Sequence, residues 1–241
     1  MSSPGPAYQD VGEHGPDRPR CGVVVPVKPR AWAKSRLAPL GDQVRQALTT
    51  AMALDTVTAA LACPEVGSVL VVTDDLALAD LVRTAGAAAL PDGRPGDLNA
   101  SLWQGAAEAD RRCPGSTLVA LCGDLPCLRP EELAGVLREA TAHGAPTFVS
   151  DAAGVGTTCY AAPDLATFDP AFGGTSRAAH RDAGAVEVGV AAATVRRDVD
   201  TPADLAAADE LGLGPATAAV LARGARGDQG ARGARGAGVR G

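Results

Sequence analysis

Val23-Val24-Val25-Pro26-Val27-Lys28-Pro29-Arg30-Ala31-Trp32-Ala33-Lys34-Ser35-Arg36-Leu37 is an apolar, β-branched run that empties directly into a loop carrying the cations Lys28, Arg30, Lys34 and Arg36. The run reads as the first strand of an α/β sheet, and the exit of such a strand is where ligands bind in that fold class. A loop of this kind is suited to phosphate. Lysine and arginine can neutralise a triphosphate and a departing pyrophosphate, and arginine adds a rigid two-pronged geometry.

Working outward, the 241-residue chain is acidic, with formal net charge -6, so the cationic loop stands against its background. A small anionic substrate fits that contrast better than nucleic acid, which calls for a broadly basic surface. With 46% hydrophobic residues the chain can bury one large core, and a single domain is expected. Aromatic residues make up only 3%, so Ala, Val and Leu must fill that core, as suits helices on a parallel sheet. No apolar run approaches the ~20 residues that span a bilayer. Residues 1–20 hold Pro, Gly and charges where a secretory signal needs a continuous apolar stretch, so a cytoplasmic protein with no membrane partner is expected. Cys21, Cys63, Cys113, Cys122, Cys127 and Cys159 form no CxxC pair, and only His14, His143 and His180 could join them. That argues against zinc and for small buried thiols without disulfides.

Three segments follow: a Pro/Gly-rich tail at 1–20, one folded domain at 21–213, and a low-complexity tail at 214–241 that degenerates into Gly-Ala-Arg repeats from about Arg223. Within the domain, short β-branched runs at Gly22–Val27, Ser68–Thr73, Thr117–Cys122, Thr147–Val149 and Val186–Val188 alternate with Ala/Leu-rich helical patterns. This alternation predicts βαβ units and a mostly parallel sheet with helices on both faces. Asp42 is expected to cap a helix to about Leu61; Asp74 or Asp75, Asp97, and Pro130 with Glu131 open others.

Neither GxxxxGK[ST] nor a complete GxGxxG occurs, which counts against a P-loop enzyme and an ordinary dinucleotide dehydrogenase. Leu118-Val119-Ala120-Leu121-Cys122-Gly123-Asp124-Leu125-Pro126 ends a buried strand on Gly-Asp. Asp124 there either caps the next turn or holds magnesium against nucleotide phosphates. Gly123 favours the second, because it lets a ligand approach the backbone. Asp198-Val199-Asp200-Thr201-Pro202 reads as strand end, cap and first helical turn, with Asp200 either the cap or a partner of Asp124 at a metal. Gly154-Val155-Gly156-Thr157-Thr158 and Phe172-Gly173-Gly174-Thr175-Ser176 combine glycines with hydroxyls. They can be plain turns, or an anion cradle that uses a helix N-terminus near Ser176.

Taken in order, Val25-Pro26-Val27-Lys28, Ala33-Lys34-Ser35-Arg36-Leu37, Leu98-Asn99, Gly123-Asp124-Leu125-Pro126, Gly156-Thr157-Thr158, Phe172-Gly173, Ser176 and Asp198-Val199-Asp200-Thr201-Pro202 resemble the 2-phospho-L-lactate/phosphoenolpyruvate guanylyltransferases over about Cys21 to Leu213. The resemblance implies a nucleotide-diphospho-sugar transferase-like fold, a Rossmann-like three-layer α/β/α sandwich. It also implies GMP transfer from GTP to phosphoenolpyruvate or 2-phospho-L-lactate in the making of the deazaflavin coenzyme F(420). It places Thr158, Gly173 and Ser176 at the acceptor, Asp124 and Asp200 on magnesium, Lys28, Lys34 and Arg36 around the GTP phosphates, and Asn99 near the nucleoside. Another small phosphorylated acceptor (3-phosphoglycerate, a sugar phosphate or the molybdenum cofactor) is the alternative within enzymes, and a non-catalytic nucleotide-binding protein the alternative outside them. Oligomeric state stays open, a homodimer included.

Overall fold

A computed structural model describes residues 21–28 and 34–224. Arg30, the N-terminal segment 1–20 and the repeats at Arg226, Arg232, Arg235 and Arg240 lie outside the described residues.

The strands are β1 (Cys21–Pro26), β2 (Val66–Val72), β3 (Ala88–Leu90), β4 (Thr117–Leu121), β5 (Thr147–Ser150), β6 (Thr157–Ala162) and β7 (Val186–Glu187). They form one sheet in the order β3-β2-β1-β4-β6-β5-β7. β1 is central and pairs in parallel with β2 and β4, as its uninterrupted apolar run requires of a strand covered on both faces. The β2–β3 and β5–β7 pairings are also parallel. Among the described strands only β6 runs backward, antiparallel to both β4 and β5. The sheet is therefore mostly parallel, as expected.

Up to residue 211 the α-helices are α1 (Asp42–Ala62), α2 (Leu76–Thr84), α3 (Leu98–Arg112), α4 (Pro130–His143), α5 (Ser176–Asp182), α6 (Ala193–Arg196) and α7 (Pro202–Leu211). Alternation along β1 sorts them into layers. Val23 and Val25 face one side with Ala53 and Val57 of α1, Leu78 and Val82 of α2 and Leu133 of α4. Val24 faces the other side with Leu102 and Ala106 of α3. Two apolar layers around a sheet make the α/β/α sandwich. α3 comes close because Gly105 has no Cβ; one would run into Val24 and stand 3.0 Å from Val72 Cγ2.

A third apolar cluster joins Leu37, Leu48, Met52, Cys127, Val199 and Val220. Val220 belongs to a further helix, residues 215–224. The Ala216 and Thr217 N–H groups at the start of that helix donate to the Asp55 carboxylate, at 3.0 and 2.8 Å. Ordered structure thus continues past 213, where the low-complexity tail was expected to begin.

One cap assignment needs correction. Gly41, not Asp42, precedes α1, and Asp42 sits in the first turn paired with Arg45. The cap of α7 is Thr201, in a capping box with Asp204. Asp75 and Asp97 cap α2 and α3 as expected.

Candidate active site

The carboxyl ends of β1, β2 and β4 open into a cleft made of two adjoining hollows, which share Pro26, Val27, Lys28 and Leu98. One, of about 420 Å³, is lined by Lys28, Lys34, Asp124, Phe172 and Asp200. The other, of about 470 Å³, has Val72 and Leu98 as apolar surface and Asp74, Asp92 and Ser101 as polar groups. Strand exits are where a parallel sheet offers such a site.

Lys34 is the pivot of the first hollow. It is the one described non-glycine residue with positive φ, at 57°, a left-handed conformation that costs about 1–3 kcal/mol in a bulky residue. Its ammonium bonds Asp124 Oδ2 and lies 2.6 Å from Asp200 Oδ1. Burial works against the Lys34 charge, yet Asp124 and then Asp200 outweigh it and raise the pKa above the ordinary lysine value.

Both carboxylates are free for this contact because neither caps a helix. Thr201 takes the cap of α7, so Asp200 is released to face Lys34. Asp124 is fixed through its backbone: its carbonyl accepts from the Val199 N–H at 3.1 Å, and the next N–H, that of Leu125, donates to Thr56 Oγ1 at 3.0 Å. The Asp124 and Asp200 loops are thereby tied together. Gly123 lines the hollow, and it also serves a close approach within the fold: a Cβ there would stand 3.0 Å from Val27 Cγ2 and 3.2 Å from the Pro26 carbonyl. The glycine lets the Asp124 loop press against the exit of β1.

The negative charge exceeds what Lys34 balances. Burial first, then the nearby charges of Asp124, Asp200 and Asp151, push the Asp198 carboxyl up to about 7. Asp124 Oδ1 is buried with no hydrogen-bond partner. Among the described residues no three His, Cys, Asp or Glu side chains converge into a metal cage. Two carboxylates with an open remainder are, however, the donor set magnesium uses when it keeps waters and phosphate oxygens. The orphaned oxygen of Asp124 fits that requirement.

The other expected residues are spread around this centre. Lys28 is exposed and lines both hollows. Arg36 is exposed on a short 3-10 helix, Ser35–Leu40, and lines neither. Thr158 is fully buried on β6; its carbonyl accepts the Cys122 N–H at 2.8 Å, while its hydroxyl has no partner. Ser176 is buried at the start of α5, and Gly173 has φ 109° in the loop before it. With seven residues, α5 is a short helix, and the Arg177 N–H at its start is taken by the Val155 carbonyl. The two glycine-and-hydroxyl segments are thus stitched together. Asn99 spends its amide on Phe172, receiving that residue's N–H at 2.8 Å and donating to its carbonyl at 3.1 Å.

His180 carries no sequence signal, yet it organises this loop. It is fully buried, stacked on Tyr160 and Phe148. Its Nε2 accepts the Ala171 N–H at 2.9 Å. The neutral ring therefore carries its proton on Nδ1 and donates it to Thr157 Oγ1, 3.0 Å away. Burial lowers the His180 pKa, with the Ser176 backbone and Asp169 pulling weakly the other way.

The chain is similar to several known proteins. The family described as "Guanylyl transferase CofC like" matches residues 21–182. The chain is 50% identical over 203 residues to a phosphoenolpyruvate guanylyltransferase of Streptomyces coelicolor, covering 83% of this chain and 95% of that one. A protein of the same name from Thermomonospora curvata is 49% identical over 202 residues, covering 83% and 88%. In structure, the chain is similar to a nucleotidyl transferase from Methanothermobacter thermautotroptrophicus, with TM-score 0.58, 18% identity and coverage of 80% and 97%. That likeness concerns the fold, the nucleotide-diphospho-sugar transferase-like sandwich.

Proposed function

This chain belongs to the CofC-like guanylyl transferase family, and from that premise we propose that it transfers GMP from GTP to phosphoenolpyruvate or 2-phospho-L-lactate, a step in making coenzyme F(420). A phosphate oxygen of the acceptor attacks the α-phosphorus of GTP. The bond from that phosphorus to the bridging oxygen breaks, and pyrophosphate leaves with its electron pair. From phosphoenolpyruvate the product is enolpyruvyl-diphospho-5'-guanosine. The relatives' printed names favour phosphoenolpyruvate over 2-phospho-L-lactate as acceptor.

The observation that carries the reading is the paired carboxylates of Asp124 and Asp200 closed on Lys34, on the floor of a cleft that also holds Lys28. Two anionic substrates have to touch, so the protein's work is positioning and charge neutralisation. Lys28 and Lys34 line the hollow and would meet the triphosphate, with Arg36 on the next turn. Asp124 and Asp200 would hold magnesium, which bound there neutralises phosphate charge in both substrates. An acceptor phosphate with its second pKa near ~6 is already mostly ionised at neutral pH. No general base is required, in keeping with a site whose one nearby histidine, His180, is buried and fully hydrogen-bonded. Thr158, with its unpartnered hydroxyl, and Gly173 and Ser176 in the adjoining loop are our candidates for the acceptor's phosphate and carboxylate.

Pyrophosphate release by the purified protein tests this, with GTP and magnesium and, in parallel, phosphoenolpyruvate, 2-phospho-L-lactate or 3-phosphoglycerate, ATP replacing GTP as control. Release with GTP and phosphoenolpyruvate supports the reading. Release with 3-phosphoglycerate alone redirects it to another acceptor, and no release with any of them removes it.

A further inference from the structure

We propose that Asn99 is a positioning residue for the acceptor loop, acting through the backbone of Phe172. The inference rests on the guanylyl-transfer reading and assigns a role within that site.

Phe172 lies in a stretch with neither helix nor strand to satisfy its peptide groups. A partly buried backbone left in that state is costly. Asn99 supplies both partners at once, its Oδ1 accepting the Phe172 N–H at 2.8 Å and its Nδ2 donating to the Phe172 carbonyl at 3.1 Å. The contact spans 73 residues of sequence. It fastens the first turn of α3 to the loop that leads into Gly173 and Ser176. One residue earlier, the Ala171 N–H is held by His180 Nε2 at 2.9 Å. One residue later the restraint ends: Gly173 and Gly174 have φ of 109° and 50°, and a Cβ at either would meet nothing within 4 Å.

The position of this fastening matters because of what stands beside it. Leu98, next to Asn99, lines both hollows. Phe172 lines the hollow that contains Lys34, Asp124 and Asp200. The side chains of Leu98 and Phe172 both pack against the apolar layer of α3. Asn99 therefore fixes the distance between the wall of the nucleotide side and the loop carrying the acceptor candidates. Both atoms of the amide serve the loop in this arrangement, which is the role we assign to Asn99.

The test uses Asn99→Asp, which keeps the shape and the bond from the Phe172 N–H but turns a carboxylate oxygen toward the Phe172 carbonyl, with Asn99→Ala alongside. Steady-state kinetics are measured for each substrate at saturation of the other. Amide hydrogen exchange at Phe172 is followed in the same proteins. The expected result is a rise of about tenfold in KM for phosphoenolpyruvate, with KM for GTP within about twofold of wild type and faster Phe172 exchange in Asn99→Ala. A rise confined to KM for GTP, or a change in GTP-over-ITP preference, would make Asn99 a nucleoside contact and overturn the proposal. Unchanged kinetics overturn it as well. Should Asn99→Ala fail to fold, Asn99→Asp alone decides by the same split between the two KM values. If the wild type releases no pyrophosphate, it is the guanylyl-transfer reading that fails. The fastening is then judged on exchange alone: wild-type-like Phe172 exchange in both variants removes it, and faster exchange in Asn99→Ala sustains it.

Discussion

The Lys34 ammonium stands between Asp124 and Asp200, 2.6 Å from Oδ1 of Asp200. One cation thus holds two carboxylates that follow it by 90 and 166 residues in the chain. Its side chain is 11% exposed and that of Asp200 51%, so the clasp is firm on the Asp124 side and open to solvent on the other. An incoming cation can reach Asp200 without unpacking the core.

Asp124→Asn keeps the shape of the side chain and removes its charge. Turnover is expected to fall by about 10²–10³-fold. The melting temperature should stay close to wild type, because Asp124 is held through the Val199 N–H and the neighbouring Thr56 bond. Full turnover at saturating magnesium would take Asp124 out of the metal site.

Ser176→Ala removes a buried hydroxyl at the start of α5. KM for the acceptor should rise several-fold more than KM for GTP. Equal changes in both would make Ser176 a general support of the loop.

His180 sets a pH dependence of stability whose sign follows from its lowered pKa. The unfolded chain binds a proton near the ordinary value of 6.5, while the folded protein resists it until lower pH. The stabilisation from neutral His180 is therefore complete above about 6.5 and is lost as pH falls through that value toward the folded pKa. Thermal melts from pH 8 to 5 should decline below 6.5, each kcal/mol lost showing as about 2–4 °C. His180→Gln, less stable throughout, should lack that part of the decline, and an identical slope in both proteins would exclude His180 as its source.

Gly105→Ala opposes two effects. Alanine gains about 1 kcal/mol of helix propensity over glycine, but its methyl would run into Val24 and stand 3.0 Å from Val72 Cγ2. Overpacking of this kind costs about 1–3 kcal/mol, so a net loss of stability is expected. A denaturant midpoint at or above the wild-type value would show that α3 can shift away from β1.

How much of this was legible in the sequence depended on how local each signal was. β1, β2 and β4 are dense in Val and Leu and stand within a residue or two of where their composition placed them. β3 and β6 went unread. Ala88–Leu90 is short and alanine-rich, without the β-branched bias of a strand; Thr157–Ala162 has two threonines and a tyrosine, but the threonines close a glycine-rich run that reads as a turn and the strand ends in alanines. Asp124 and Asp200 stood out because a strand exit and a helix start flank them. Their meeting on Lys34, across 90 and 166 residues, is a property of the sheet order. Asn99 was marked by the family resemblance alone, because its partner is a backbone, which leaves no mark in composition. His180 gave no sign for the same reason: one partner is a main-chain N–H and the other a single threonine hydroxyl.

The reversed direction of β6 brings the start of that strand beside the ends of its parallel neighbours. Lys28 and Asp124 sit on loops that leave parallel strands, whereas Thr157 and Thr158 reach the same edge at the start of a strand running the other way. The turn feeding that strand, residues 151–156, can lengthen or change without altering the register of β1, β2 or β4. In the site we propose, the acceptor side can therefore be varied through the β5–β6 hairpin with the exits of the parallel strands left in place.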